Sequence, residues 1–256
     1  MPRDSLADSL ADQLLQGIID GRYPTDDPLP PEADIAKEAN VSRLTVREAV
    51  KTLRAKSIVR IDRGRGTYTN PPDRWTDLEA LVRAVSAQAP DLAGVVPERL
   101  IEARRVIETG AAELAATRRT PDDLARFQVH LDEMVAAADN GDVDAFVTAD
   151  LAFHQTVLDA ADNAFIAALL EPLSRLLIPA RRQTSEVGDI RRHAIEHHRT
   201  VLDAIRSGDP ERARRAMHDH IDQTGRDLRT YVLKPGPKPT KPPSAGVTTR
   251  RPRSLT

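Results

Sequence analysis

Pro31-Glu-Ala-Asp-Ile-Ala-Lys-Glu-Ala-Asn-Val-Ser-Arg-Leu-Thr-Val-Arg-Glu-Ala-Val-Lys-Thr-Leu-Arg-Ala55 decides how the head of this chain folds. Pro31 suits the first turn of a short helix, where its missing N–H removes no hydrogen bond. Ile35, Ala36 and Ala39 give that helix an apolar face. Asn40-Val41 is the turn. Ser42 is placed to cap a further helix over about residues 43–55, with Val46, Ala49, Val50 and Leu53 on its inner face. Upstream, Leu6, Leu10, Leu14 and Ile18 recur at helical spacing over about residues 5–20, and the Gly21–Pro30 stretch breaks the pattern. Downstream, Ile58–Thr69 places two β-prone stretches around a Gly-containing turn, which reads as a hairpin. Together these make a winged helix-turn-helix.

Composition narrows the rest. The chain has no cysteine, which excludes a disulfide scaffold, a Cys-ligated zinc finger, an iron–sulfur cluster and a thiol nucleophile. Aromatic residues are only 3%, so the core suits packed helices better than a β-sandwich. No apolar run approaches the roughly 18 residues that span a bilayer. Met1–Asp12 carries acids and no apolar core, so it is not read as a signal peptide, and a cytoplasmic location without a membrane partner is expected. Residues 35–65 hold 9 basic and 3 acidic side chains, whereas residues 71–233 hold 20 and 28. A basic head on an acidic body points to a polyanion-binding head.

From Trp75 to about Val232 every long segment has helical period. Helices are expected near 76–88, 97–118, 121–139, 142–161, 163–184, 188–207 and 210–231, with breaks at Pro90, Thr120-Pro121, Asn140-Gly141, Asp162-Asn163, Gly188 and Gly208-Asp209-Pro210. The expected fold is therefore mainly α. An N-terminal winged helix-turn-helix with a small β-hairpin wing occupies residues 1–70, and a linker follows at 71–75. A C-terminal antiparallel all-α bundle of six or seven helices spans 76–232, and a disordered basic Pro-rich tail spans 233–256.

In such a head the third helix enters the major groove of duplex DNA N-terminus first. Ser42, Arg43, Leu44, Thr45 and Arg47 stand at that end. Arg43 and Arg47 lie one turn apart, suited to guanine edges, while Ser42 and Thr45 can donate to phosphates. Arg63, Gly64 and Arg65 at the wing tip suit a minor groove or phosphates. Leu29-Pro30-Pro31-Glu32, Val41–Ala49 and Gly64-Arg65-Gly66-Thr67 resemble the GntR family winged helix over residues 6–69. The resemblance implies that Ser42, Arg43, Arg47 and Gly64 contact operator DNA. The chain departs from the family pattern at Ala33, Leu44 and Lys56-Ser57.

The bundle carries a polar cluster. His154 and Asp150, four apart, share a stripe with Phe146, Val147, Leu151, Val157 and Leu158. His198 is flanked by Ala194, Ile195, Val201 and Leu202, and His220 by Ala216 and Met217, so both face mostly inward. His193 and His130 read as exposed or marginal, and His218 as mostly outward. Two readings of the inward set stand side by side. Each His is a satisfied core residue with Asp150 paired to one of them, or the four are ligands for zinc, nickel, manganese or iron.

Asp150-Leu-Ala-Phe-His154, Asp162-Asn163, His198–Ile205 with Gly208-Asp209, and His220 resemble the FCD ligand-binding domain of the FadR subfamily of GntR regulators, over residues 75–232. That resemblance implies a divalent metal, zinc first among candidates, on Asp150, His154, His198 and His220. It also implies a small carboxylate effector, with Arg104 and Asn163 as its binding residues. For Arg104 a surface salt bridge with Glu108 is the other reading. The whole implies a homodimeric, ligand-responsive transcription regulator, a repressor and not an enzyme. A metal-sensing repressor and a metalloenzyme with a DNA-binding appendage are the alternatives.

Overall fold

The computed structural model describes residues 5–88 and 95–233. In the head, α1 (Leu6–Ile19) opens on a reciprocal cap between Ser5 and Asp8. α2 (Glu32–Glu38) leads through Asn40, at φ 51°, into α3 (Arg43–Ala55). Asparagine tolerates that left-handed conformation better than most residues. Ser42 caps α3, its Oγ accepting from Thr45 N at 3.0 Å. β1 (Val59–Asp62) and β2 (Gly66–Thr69) pair antiparallel, with Val59 opposite Thr69 and Asp62 opposite Gly66. Their loop turns at Gly64, whose φ of 74° would strain a side chain. Leu10, Leu14, Ile35, Val46, Val50, Leu53 and Ile58 close the core of this head. Each large aliphatic buried there is worth about 1.5–3 kcal/mol.

The linker expected at 71–75 is packed. Pro72–Arg74 form a 3-10 turn, and Trp75 is buried in the head core with Nε1 donating to Asn70 O at 2.9 Å. A buried indole needs such a partner for its N–H. α4 (Leu78–Gln88), expected to open the bundle, belongs to both cores. Ala80 and Ala84 pack into the head, whereas Leu78 and Val82 pack on the bundle. Arg83 reaches back to α1, donating to Gln16 Oε1 at 2.9 Å.

The bundle continues with α5 (Val95–Arg118), α6 (Pro121–Asn140), α7 (Val143–Ala160), α8 (Ala164–Leu176), α9 (Ile178–Ser185), α10 (Gly188–Ser207) and α11 (Pro210–Asp227). A π-helical turn, Leu228–Val232, ends it. α5 lies against α11 and α7, and α10 against α11 and α6. Ala111, Ala112, Ala115 and Ala116 of α5 are fully buried. Such small side chains let facing helices approach closely. Phe127, Phe153, Met134, Leu202, Met217 and Ile221 fill the remaining space. Gly208, at φ 76°, ends α10 in a left-handed cap, and Asp209 then caps α11.

The helix expected over 163–184 is two helices. Leu177 ends α8, and Pro179 in the first turn of α9 lacks the N–H that would carry the ladder through. Pro172 is accommodated inside α8. The break turns α9 onto α7. With α4 counted, the described residues beyond the head form eight α-helices rather than six or seven. The Pro90 break, and the tail from residue 234 onward, lie outside the described residues.

Thr120 caps α6, its Oγ1 accepting from Asp123 N at 3.2 Å while Asp123 accepts from Thr120 N at 2.8 Å. Thr120→Ala is expected to lower stability by about 1 kcal/mol in urea unfolding, with Thr120→Ser restoring it.

Candidate DNA-reading surface and metal centre

At the N-terminal end of α3, Ser42, Arg43, Leu44 and Arg47 are exposed and Thr45 is half-buried. Ser42 Oγ and Thr45 Oγ1 lie 2.8 Å apart. Arg47 Nε donates to Glu32 Oε2 at 2.8 Å across the solvent-facing side of α2 and α3. An exposed pair of this kind contributes about 1 kcal/mol or less, so it yields to a phosphate or a base edge. Leu44 is 67% exposed, a large aliphatic with no core role. Arg63, Gly64 and Arg65 are exposed at the wing tip, with the Arg65 guanidinium 5.9 Å from the Tyr68 ring centre. The head thus presents its cations on a helix end and a loop, the two shapes that grooves accept.

The second site lies in the middle of the bundle. α7 carries Asp150 and His154 on one face, α10 carries His198, and α11 carries His220, all buried. His154, His198 and His220 each place a ring nitrogen within 4.8 Å of the others. His154 Nε2 is 3.3 Å from His220 Nε2, and Asp150 Oδ1 is 3.3 Å from His198 Nε2 and 3.8 Å from His154 Nε2. The Phe153 ring stands edge-on to His198 at 4.5 Å, walling the cluster from the core.

The protonation of the imidazoles follows from their partners. His198 Nδ1 is 2.6 Å from the carbonyl oxygen of Ala194. A carbonyl only accepts, so Nδ1 carries the proton and the Nε2 lone pair points into the cluster. Burial, reinforced by His154, holds the His198 imidazole well below its ordinary value. His220 is likewise held well below its ordinary value by burial, then by His198 and His154. Both are neutral near pH 7, the form that ligates metals. His198 Nε2 is buried and has no hydrogen-bond partner. Three imidazole nitrogens, one of them orphaned, together with a carboxylate oxygen can hold a divalent cation, and the donor set suits zinc.

Two arginines flank the cluster. Arg104, expected as an effector contact or in a surface salt bridge, is 1% exposed. Its Nε donates to Glu108 Oε1 at 2.5 Å, and its Nη2 lies 3.3 Å from His154 Nε2. Glu108 Oε2 is 2.6 Å from His154 Nδ1. Burial alone would raise the Glu108 carboxyl, but Arg104 and His154 outweigh it and hold it well below the usual carboxylate range. Arg104 is thus held by Glu108 and reaches from there to the Nε2 side of His154.

Sequence reasoning missed the second arginine, Arg181 on α9, which pairs with Asp150. Burial, then the charge of Arg104, lowers its pKa to about 9. A cavity of about 40 Å³ lies beside them, lined by Asp150, Arg181, Thr184, Ser185, His197 and Gln223 among others. Only the break at Leu177–Pro179 could have pointed to Arg181. Asn163, the other expected effector contact, caps α8 with its side-chain oxygen accepting from Phe165 N at 3.1 Å. It lies past the end of α7, nine residues beyond His154, and does not line this cavity. His193, read as exposed or marginal, lies 3.2 Å from the buried Asp227.

Comparison with known proteins identifies the two halves of the chain. Residues 6–69 match bacterial regulatory proteins of the gntR family, and residues 99–223 match the FCD domain. The galactonate operon transcriptional repressor of Escherichia coli is 30% identical over 87% of this chain and 96% of its own length. The chain belongs to the GntR family. The regulator LutR of Bacillus subtilis is also 30% identical, over 84% of this chain and 97% of its own length. A solved structure of Lar, which controls the agr system of Listeria monocytogenes, shares the fold at 18% identity, with a TM-score of 0.57 over 90% of this chain and 99% of that one. This GntR regulator therefore joins a winged helix-turn-helix head to an FCD helical region. Among its described residues no helix is long and apolar enough to cross a membrane.

A pH dependence follows for protein kept free of metal by a chelator. Below the ordinary histidine value of 6.5 the unfolded chain takes up protons that folded His198 and His220 refuse. Stability that is full above 6.5 should therefore fall as the medium is acidified. Urea midpoints across that range should show it, and His198→Leu should flatten the slope. An unchanged slope would mean that His198 is not the neutral group inferred here.

Proposed function

We propose that this regulator is a repressor released by a small carboxylate effector, acting as a homodimer on pseudo-palindromic operator DNA in the cytoplasm. Arg43 and Arg47 read guanine edges in the major groove, Leu44 adds an apolar contact between them, and Ser42 and Thr45 hold phosphates. Arg63, Gly64 and Arg65 settle against the minor groove or its phosphates. The dimer sets the half-site spacing.

Asp150, His154, His198 and His220 would hold a divalent metal ion, zinc by preference, with nickel, manganese and iron compatible with the same donors. When bound, such an ion supplies a Lewis-acidic point for a carboxylate oxygen. The observation that carries this reading is the unpartnered Nε2 of fully buried His198, fixed by Ala194 and facing two further imidazoles and Asp150. Ala194 O and Glu108 orient the rings from behind, as outer partners of ligating imidazoles do. Arg104 keeps Glu108 ionised, and its Nη2 borders the cluster-facing Nε2 of His154, where it would also meet an effector carboxylate. The cavity beside the histidines offers Thr184, Ser185 and Gln223 to hydroxyl groups. A hydroxylated carboxylate of the class named for the galactonate repressor suits that polar lining, and the cavity of about 40 Å³ would open to admit it. Effector and DNA then bias one conformational equilibrium, so each changes the affinity of the other by the same factor.

Two measurements test the two ends. Arg47→Ala should weaken binding to a duplex selected from a random library by about tenfold or more while the circular dichroism stays unchanged, the loss of a base-reading arginine being worth about 1–3 kcal/mol. Unchanged affinity would remove Arg47 from the reading surface. In thermal shift, zinc-loaded protein with galactonate or a related hydroxy acid should melt several degrees above zinc-loaded protein alone, whereas chelated protein should not respond; a ligand near 100 times its Kd adds about 2.7 kcal/mol. A response to zinc alone across all acids would make the protein a metal sensor. Turnover of an acid would make it an enzyme.

A further inference from the structure

Arg181 has no part in the reading above, and its surroundings are unusual for an arginine. Its side chain is 11% exposed and reaches from α9 to Asp150 on α7. Nη1 donates to Asp150 Oδ2, while Nε and Nη2 are buried and donate to nothing among the described residues. Those two nitrogens form one edge of the guanidinium, a fork spaced for both oxygens of a carboxylate. Buried charged donors left unmade are costly, so the fork is either a defect or the site of a ligand. It borders the cavity that also exposes Thr184, Ser185 and Gln223.

Asp150 stands between two claims. Its Oδ2 faces Arg181, and its Oδ1 lies 3.3 Å from His198 Nε2. Other carboxylates nearby are committed. Glu108 serves Arg104, and Asp227 accepts from Gln223 at 2.9 Å and lies against His193. A guanidinium and a divalent cation that share one buried carboxylate repel each other strongly in so dry a setting. A second carboxylate placed between them relieves both.

We propose that Arg181 is an internal cation that closes this site, pairing with Asp150 while the histidines are free of metal, and that it becomes the clamp for the effector's carboxylate once a metal ion claims Asp150. The proposal rests on the metal-and-carboxylate reading and adds its regulation: Arg181 opposes the metal alone and favours metal and carboxylate together. A planar fork serves this better than an ammonium, which offers one charge without two-point geometry.

The test is zinc affinity, measured by competition with a chromophoric chelator, with and without excess glycolate as the probe carboxylate. Wild type, Arg181→Gln, Arg181→Lys and His198→Ala are compared after urea unfolding shows that each is folded. Wild type should bind zinc more tightly with glycolate present. Arg181→Gln should bind zinc alone about tenfold tighter than wild type and lose the glycolate effect. Arg181→Lys, which keeps the competing charge without the fork, should bind zinc alone as wild type does and also lose the glycolate effect. Should Arg181→Gln fail to fold, Arg181→Lys still decides the clamp. If Arg181→Gln binds zinc no tighter than wild type, or if either variant keeps the full glycolate effect, the Arg181 proposal is overturned while the metal site stands. If wild type binds no zinc, or His198→Ala binds it equally well, the underlying reading fails and this proposal fails with it.

Discussion

A carbonyl oxygen has no proton to give, and the centre of this bundle is organised by that fact. Because Ala194 O accepts a hydrogen bond from Nδ1–H of His198, the opposite nitrogen faces inward as a bare lone pair in a buried space. An imidazole in an apolar core could have been satisfied on both sides, and here one side is left open. The rings of His154 and His220 and the carboxylate of Asp150 converge on that opening. Phe153, a residue of the bundle core, stands edge-on to the His198 ring.

Around this opening two chains of charge run in parallel. Arg104 meets Glu108, which meets His154; Arg181 meets Asp150, which meets His198. One chain starts on α5, the other on α9, and each ends on a histidine. Buried ion pairs add little net stability, because desolvation offsets most of the attraction. Their value lies in orientation. Glu108 fixes the direction of an imidazole and of a guanidinium at once, whereas Asp150 holds only the guanidinium, because the bare Nε2 of His198 offers it no proton. The two chains still differ in one respect: the Arg104 fork is engaged by both oxygens of Glu108, whereas the fork edge of Arg181 is unused.

Much of this was legible in the chain itself. The head was legible because a cap, a turn and two short apolar faces fall at the spacings that only one supersecondary unit satisfies. Asp150, His154, His198 and His220 were legible because each interrupts an apolar stripe, where a polar side chain demands a partner. Arg181 was not. Its role depends on a break at Leu177 that redirects α9, and the apolar spacing of 163–184 hides that break, with Pro179 its mark in the sequence. Glu108 was visible as a partner of Arg104, but not its burial, since charged residues at helical spacing normally face water. Trp75 looked like linker because the proline pair Pro71-Pro72 separates it from Asn70 and from most of the head core that buries it. The roles of α4 were equally hidden, since alternating small and large apolar residues on one helix do not say that two different cores receive them.

That double membership of α4 bears on how the molecule can be taken apart. A head cut at residue 70 would lack Trp75, Ala80 and Ala84, and so leave apolar surface of α1 and α3 bare to water. A bundle begun after α4 would lack Leu78 and Val82. The seam between the two halves therefore runs along the length of one helix, not across the chain at any single peptide bond. An autonomous DNA-reading fragment has to be drawn to include α4, with the bundle-facing side of that helix made polar.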